Sequence, residues 1–146
     1  MGFLGEHFHT VDDKGRVIIP LKFRNDLGNT FIITRGVGGC LFIYREKDFH
    51  ELEERLLSQP MLDFHTLKMK RWLFASALEA SADSQGRVAI PSSLRDFAGI
   101  KEEVVIAGTG EKIEIWSRDG WDALNASLTD EEIMRSAVET GLGKSL

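Results

Sequence analysis

Asp12-Asp13-Lys14-Gly15-Arg16-Val17-Ile18-Ile19-Pro20 returns in the second half of the chain as Asp83-Ser84-Gln85-Gly86-Arg87-Val88-Ala89-Ile90-Pro91. Asp, Gly, Arg, Val, Ile and Pro keep their places at a single offset, a pattern hard to obtain by chance and one that governs every later assignment. Two copies are too few for a solenoid. The expectation is one domain built from two like halves.

Within each copy the residues spell a turn between strands. Phe8 to Val11 leads in, Asp13-Lys14-Gly15 turns, and the β-branched run Arg16-Val17-Ile18-Ile19 follows until Pro20 stops it. A three-residue loop with glycine in the left-handed position is a common hairpin connection, and Gly15 and Gly86 stand where that glycine is needed. The spacing therefore predicts a hairpin with Asp12 facing Arg16 across the loop. Strand alternation puts Val17 and Ile19 on one face and Arg16 and Ile18 on the other, with Val88 and Ile90 against Arg87 and Ala89 in the second copy. Both arginines are expected at a hairpin base, directed away from the main core.

Outward from the repeated stretch the two halves continue in parallel. A short helix is predicted over Leu21 to Leu27, stopped at Gly28, and another over Ser92 to Ala98, stopped at Gly99. Paired strands follow, Thr30 to Thr34 with Leu41 to Tyr44 and Val104 to Ala107 with Lys112 to Trp116. The glycine-rich stretches 36–39 and 108–111 are read as the turns between them. A further helix in each half carries Phe49, Leu52 and Leu56, or Trp121 and Leu124, on one face. The fold class is thus mainly β with short helices (α+β), two β-β-α-β-β repeats in a single structural domain over 1–146. The first repeat covers 5–57, a connecting helical segment 58–77, the second repeat 78–128, and a C-terminal helix and tail 129–146. In the connecting segment Leu62, Met69 and Leu73 lie at helical spacing. In the tail Thr129-Asp130-Glu131-Glu132 reads as a capping box, in which hydroxyl and carboxylate both satisfy free backbone N–H groups. The last residues, from Gly141, are expected to fray.

Composition bounds the function. The 146 residues carry 18 Lys and Arg against 23 Asp and Glu, a net charge of −5, so any anionic partner must be met by a local concentration of cations. One cysteine, Cys40, excludes an intramolecular disulfide framework and a Cys-rich zinc site, and points to a reducing compartment. No apolar run approaches the roughly 20 residues that span a bilayer, and the opening MGFLGEHFHT has no basic stretch ahead of an apolar one. The chain is read as soluble and cytoplasmic.

Arg16 and Arg87 carry the sharpest chemical signal. A guanidinium can make two parallel hydrogen bonds to guanine O6 and N7 or brace a phosphate, and a hairpin can enter a groove without a helix. Against this stands the plainer reading that Asp12–Arg16 and Asp83–Arg87 are cross-loop ion pairs that hold the turns closed. The two readings are compatible, because a carboxylate can orient the guanidinium it pairs with. Lys14, Lys22 and Arg24 lie beside the first copy, whereas the second offers Arg95 and has Gln85 where the first has Lys14. His65, Lys68, Lys70 and Arg71 form a second basic cluster, for which helix solubility or a subunit contact is the plainer account. His7 and His9 share a strand face but lack the Cys or acidic partners of a metal site. The glycine-rich turns lack the Lys-Ser/Thr ending of a phosphate loop, Cys40 is read as a buried structural thiol, and Ser92-Ser93 as a helix cap. Three function classes remain open on the residues alone: a DNA-binding regulator, an enzyme whose site escapes motif reading, and an assembly or scaffold protein.

The stretches DDKGRVIIPLKFR, DSQGRVAIPSSLR and VVIAGTGEKIEIW together resemble the MraZ family of bacterial transcriptional regulators, over nearly the whole chain. Each copy alone resembles the AbrB-type swapped-hairpin unit. The resemblance implies a single pseudo-two-fold swapped-hairpin barrel, no cofactor and no catalytic role, a homo-oligomeric ring of eight or more subunits, and a nucleoid-associated location. It also implies binding of double-stranded DNA at short G-containing direct repeats upstream of the division and cell-wall gene cluster. The family's DxxxR motif falls on Asp12 and Arg16 and on Asp83 and Arg87. Its adjoining lysine falls on Lys14, with Gln85 departing from it, and Lys22 and Arg24 complete the expected DNA-binding set.

Overall fold

The computed structural model describes residues 2–146. Its frame is a six-stranded antiparallel sheet in the order β1-β7-β8-β4-β3-β5, accompanied by a two-stranded ribbon of β2 and β6. The strands are β1 (Phe3–Thr10), β2 (Arg16–Ile18), β3 (Phe31–Arg35), β4 (Leu41–Arg45), β5 (Leu78–Ala80), β6 (Arg87–Ala89), β7 (Glu103–Gly110) and β8 (Ile113–Ser117). Six short helices surround them: α1 (Leu21–Leu27), α2 (Glu46–Leu57), α3 (Phe64–Met69), α4 (Ser92–Phe97), α5 (Arg118–Ser127) and α6 (Asp130–Glu139).

The two halves exchange strands. β1 pairs along β7 of the second repeat, from Phe3 opposite Gly110 to Thr10 opposite Glu103, and β5 pairs reciprocally with β3 of the first. β2 pairs with β6, Val17 lying opposite Val88. The expected local hairpin between Phe8–Val11 and Arg16–Ile19 is therefore corrected. The chain turns where the sequence predicts, with Gly15 and Gly86 at positive φ (75° and 80°), but the strand leaving the turn pairs with its counterpart in the other repeat. Each outgoing strand is only three residues long, too short to hold an isolated hairpin, and it gains a second apolar strand by crossing over.

Alternation explains what each face buries. Val17 and Ile19, with Val88 and Ile90, are at most 1% exposed and enter the main core beside Phe3, Phe23, Phe31, Ile33, Ile106 and Ile115. The opposite face of the sheet carries a smaller cluster, Cys40, Phe42, Val105 and Trp116, which Trp121 and Leu124 of α5 cover. Cys40 lies wholly within it, and burial pushes its thiol up to about 12, the state of a structural thiol rather than a nucleophile.

Three further local expectations are corrected. The stretch 108–111 is not wholly turn, because β7 runs through Gly110 to stay paired with the incoming β1. A methyl group at Gly108 would lie 2.5 Å from the Leu4 nitrogen, so the glycine serves close strand approach. The connecting helix is interrupted: α3 passes at Lys70–Phe74 into a π-helical turn, and Leu62 lies exposed outside it while Leu73 is buried. The Arg35 guanidinium holds that turn by donating to the Trp72 and Arg71 carbonyls and lying 4.3 Å over the Trp72 ring. At α6 only half of the capping box forms: Thr129 Oγ1 accepts from the Glu132 N–H, but the Glu132 carboxylate pairs with Arg135 instead. Beyond α6, Gly141 at φ 75° takes a left-handed cap, with its N–H on the Val138 carbonyl and the Leu142 N–H on that of Ala137, and the residues after it are mostly exposed.

Candidate nucleic-acid interface

The β2–β6 ribbon carries the two repeated arginines on one face. With Val17 and Val88 turned inward, Arg16, Ile18, Arg87 and Ala89 share the outer face, Arg16 opposite Ala89 and Arg87 opposite Ile18. The arginines are thus diagonal neighbours, whose Cα atoms in such ribbons lie about 7–8 Å apart. Ile18 is exposed between them. The ladder is prolonged at both ends by Ile19 N–H to the Gly86 carbonyl (2.9 Å) and Ile90 N–H to that of Gly15 (3.0 Å). These bonds fix the two turns to each other.

Each turn is organised by one carboxylate. Asp12 Oδ1 accepts from the Lys14 N–H (2.9 Å) and the Arg16 N–H (2.8 Å), while Oδ2 accepts from Arg16 Nε at 2.7 Å. Asp83 does the same for Gln85, Arg87 and Arg87 Nε, at 2.9, 2.9 and 2.7 Å. The Gly15 and Gly86 N–H groups close the turns on the Asp12 and Asp83 carbonyls. A carboxylate that grips Nε leaves the two terminal amino groups of the guanidinium unengaged, and neither arginine's terminal groups hydrogen-bond elsewhere among the described residues. The Arg16 and Arg87 side chains remain 25% and 29% exposed. Two oriented, partly exposed forks therefore sit on one ribbon face. The ion-pair reading of these residues is the observed geometry, and it leaves their terminal amino groups unengaged.

Hydrogen bonds from the Arg16 and Arg87 backbones are the chief reason that the Asp12 and Asp83 carboxyls are held below their ordinary value of 3.8, partial desolvation opposing them and the arginine side chains adding to them. Because the folded value is depressed, the hold is complete above about 3.8 and is lost as pH falls through the lower, folded value. In an NMR titration both carboxyls are expected to titrate below 3.8, with the amide signals of Lys14, Arg16, Gln85 and Arg87 moving at the same midpoints. A midpoint at or above 3.8 would mean that the carboxylates do not organise the turns.

The remaining expected residues are distributed unevenly. Lys14 and Gln85 occupy equivalent exposed positions in the two turns. Lys22 is exposed at the start of α1, within 3.4 Å of the Leu4 carbonyl. Arg24, expected beside the lysines in the DNA-binding set, is half-buried and its Nε donates to the Ile19 carbonyl at 2.8 Å. Arg95 reaches the equivalent Ile90 carbonyl, but donates to it from Nη1. Sequence reading missed this pairing, although the shared position of Arg24 and Arg95 four residues after each proline was a visible signal. The cluster of His65, Lys68, Lys70 and Arg71 spans α3 and the π-helical turn after it, and that turn packs on α4 by an edge contact of Trp72 with Phe97. His7 sets its ring edge on Phe23 in the core wall, and burial lowers the basicity of His9.

Two turn-and-strand units exchanged between repeats, each holding an arginine by an aspartate four residues earlier, define a double swapped-hairpin protein of the α+β class. The family model described as "MraZ protein, putative antitoxin-like" matches residues 2–68 and 73–142, one segment for each repeat. The chain belongs to the MraZ family. It is 41% identical over 143 residues to the transcriptional regulator MraZ of Pelotomaculum thermopropionicum, covering 97% of this chain and 99% of that protein. It is 43% identical over 141 residues to the transcriptional regulator MraZ of Caldicellulosiruptor bescii (95% and 99%), and 42% over 142 residues to that of Alkaliphilus oremlandii (96% and 99%). These relatives are named as transcriptional regulators, and the family is not one of enzymes.

Proposed function

We propose that the protein is a sequence-specific, DNA-binding transcriptional regulator that sets the Arg16–Arg87 face of its ribbon against the major groove. The observation that carries this reading is the pair of aspartate-held guanidinium forks on one ribbon face. A B-DNA major groove admits a two-stranded β-ribbon, and a fork with its terminal amino groups free matches guanine O6 and N7. The expected operator is a set of short G-containing direct repeats upstream of the division and cell-wall gene cluster. Asp12 and Asp83 orient the forks, Lys14 and Lys22 meet phosphates, and Gln85 makes the second turn the weaker contributor.

An acidic subunit can bind DNA in this way because counterion release depends on the cations that meet phosphates, while net charge acts mainly at long range. A closed ring of subunits lines several small basic edges along successive repeats and raises effective concentration without new contacts. Light scattering at micromolar protein is expected to give a closed homo-oligomer of eight or more subunits. A monomer that bound its operator tightly would contradict the multivalent reading.

The phosphate role has its own signature. Lys22→Gln is expected to lower the slope of log K against log salt by about 0.9 per engaged subunit and to weaken operator and scrambled DNA alike. An unchanged slope would remove Lys22 from the interface.

A further inference from the structure

The two arginines that follow each proline do something that the repeat pattern does not announce. Arg24 leaves α1 of the first repeat, donates from Nε to the Ile19 carbonyl, and lies flat against Gly86 in the turn of the second repeat. A methyl group at Gly86 would stand 2.6 Å from Arg24 Cζ, 2.8 Å from Nε and 2.9 Å from Nη2. Arg95 leaves α4 of the second repeat, donates to the Ile90 carbonyl, and covers Gly15 in the turn of the first. There a methyl group would fall on Arg95 Nη1 and 2.7 Å from Cζ. Gly15 and Gly86 are accordingly buried, although the residues on either side of each turn reach solvent. Their positive φ favours glycine, and a side chain there would have to displace the guanidinium.

We propose that Arg24 and Arg95 are positioning residues acting in trans between repeats: each guanidinium is the floor on which the other repeat's aspartate-held turn rests, and so sets how far Arg87 or Arg16 projects. Arg24 serves Arg87, and Arg95 serves Arg16. The crossing follows from the swap, since each helix stays with its own repeat while each ribbon strand is laid against the other. A lysine cannot replace this plate, because its ammonium is a point charge on a flexible stem whereas the guanidinium is flat and donates in its own plane. A cation that only met phosphate would tolerate lysine.

The functional half of this inference rests on the DNA-binding reading, and the test separates the two. Hydrogen exchange is measured by NMR on the whole, DNA-free protein carrying Arg24→Lys or Arg95→Lys. Arg24→Lys is expected to speed exchange of the Gln85, Gly86 and Arg87 amides at least ~5-fold while leaving Lys14, Gly15 and Arg16 as they were; Arg95→Lys does the reverse. Loosening of the same repeat's turn, of both turns equally, or of neither overturns the proposal. If Arg24→Lys does not fold, Arg95→Lys, which tests the reciprocal brace, must loosen 12–16 selectively or the proposal fails. On DNA, the loss caused by Arg24→Lys is expected to vanish in an Arg87→Ala background and to persist in an Arg16→Ala background, with the salt slope unchanged in both. A slope lowered by about 0.9 per engaged subunit would make Arg24 a phosphate contact and overturn its positioning role. A wild-type protein that binds no DNA would defeat the proposed function while the exchange result still decides the brace.

Discussion

Arg16→Ala is expected to collapse the preference for operator over scrambled DNA while leaving the midpoint of thermal unfolding nearly unchanged. The side chain hydrogen-bonds to Asp12 and is partly exposed on the outer face of the ribbon, so its removal empties no part of the core. A bidentate arginine–guanine contact discriminates by about 1–3 kcal/mol per site, and several subunits on one DNA would multiply the loss. Arg87→Ala is expected to weaken binding less, because its turn carries Gln85 in place of Lys14. Competition titrations on both DNAs, with a melting curve for each variant, check this. Equal loss on operator and scrambled DNA would mean that Arg16 grips backbone only. A melting midpoint many degrees lower would make the residue structural.

A chain cut after residue 77 is expected to yield no folded monomer. Both outer partners of the first repeat lie beyond the cut: β1 needs β7, and β2 needs β6. Val17, Ile19 and Phe23 would lose Val88, Ile90 and Ile106 from the shared core. A domain holds only about 5–15 kcal/mol of net stability, less than the apolar burial lost with half of this core. Sedimentation with circular dichroism at micromolar concentration should find either an unstructured fragment or one that pairs with a second copy in place of the missing repeat. A cooperatively folded species of single-fragment mass would show that the repeats are independent, against the exchange of strands.

The same exchange explains what the sequence disclosed. Local signals were faithful: the stop at Pro20 and Gly28 bounds α1 at Leu21–Leu27, Gly15 and Gly86 have the positive φ that their turns require, and alternation placed Val17 inward and Arg16 outward. Partners were not legible, because period and propensity describe a strand's own faces and say nothing of which strand lies beside it. The hairpin drawn between neighbouring segments failed there, and so did the turn assigned to Gly108, whose lack of a side chain serves the incoming β1. Arg24 illustrates the same limit at the candidate interface. Its charge is visible in the sequence, but the glycine that it covers is in the other repeat. Asp12 and Arg16 were legible as a pair because their contact closes within one turn.

The most direct test of base reading by the ribbon is a mobility-shift titration of the whole protein on the DNA upstream of its own gene, made with guanine or with 7-deazaguanine in the direct repeats. The substitution removes the N7 acceptor and leaves phosphate charge and base pairing in place. The account predicts a loss of affinity of about tenfold per engaged repeat, within the range of a broken arginine–guanine contact, and no such loss for Arg16→Ala. Equal binding of the wild-type protein to both DNAs would contradict it.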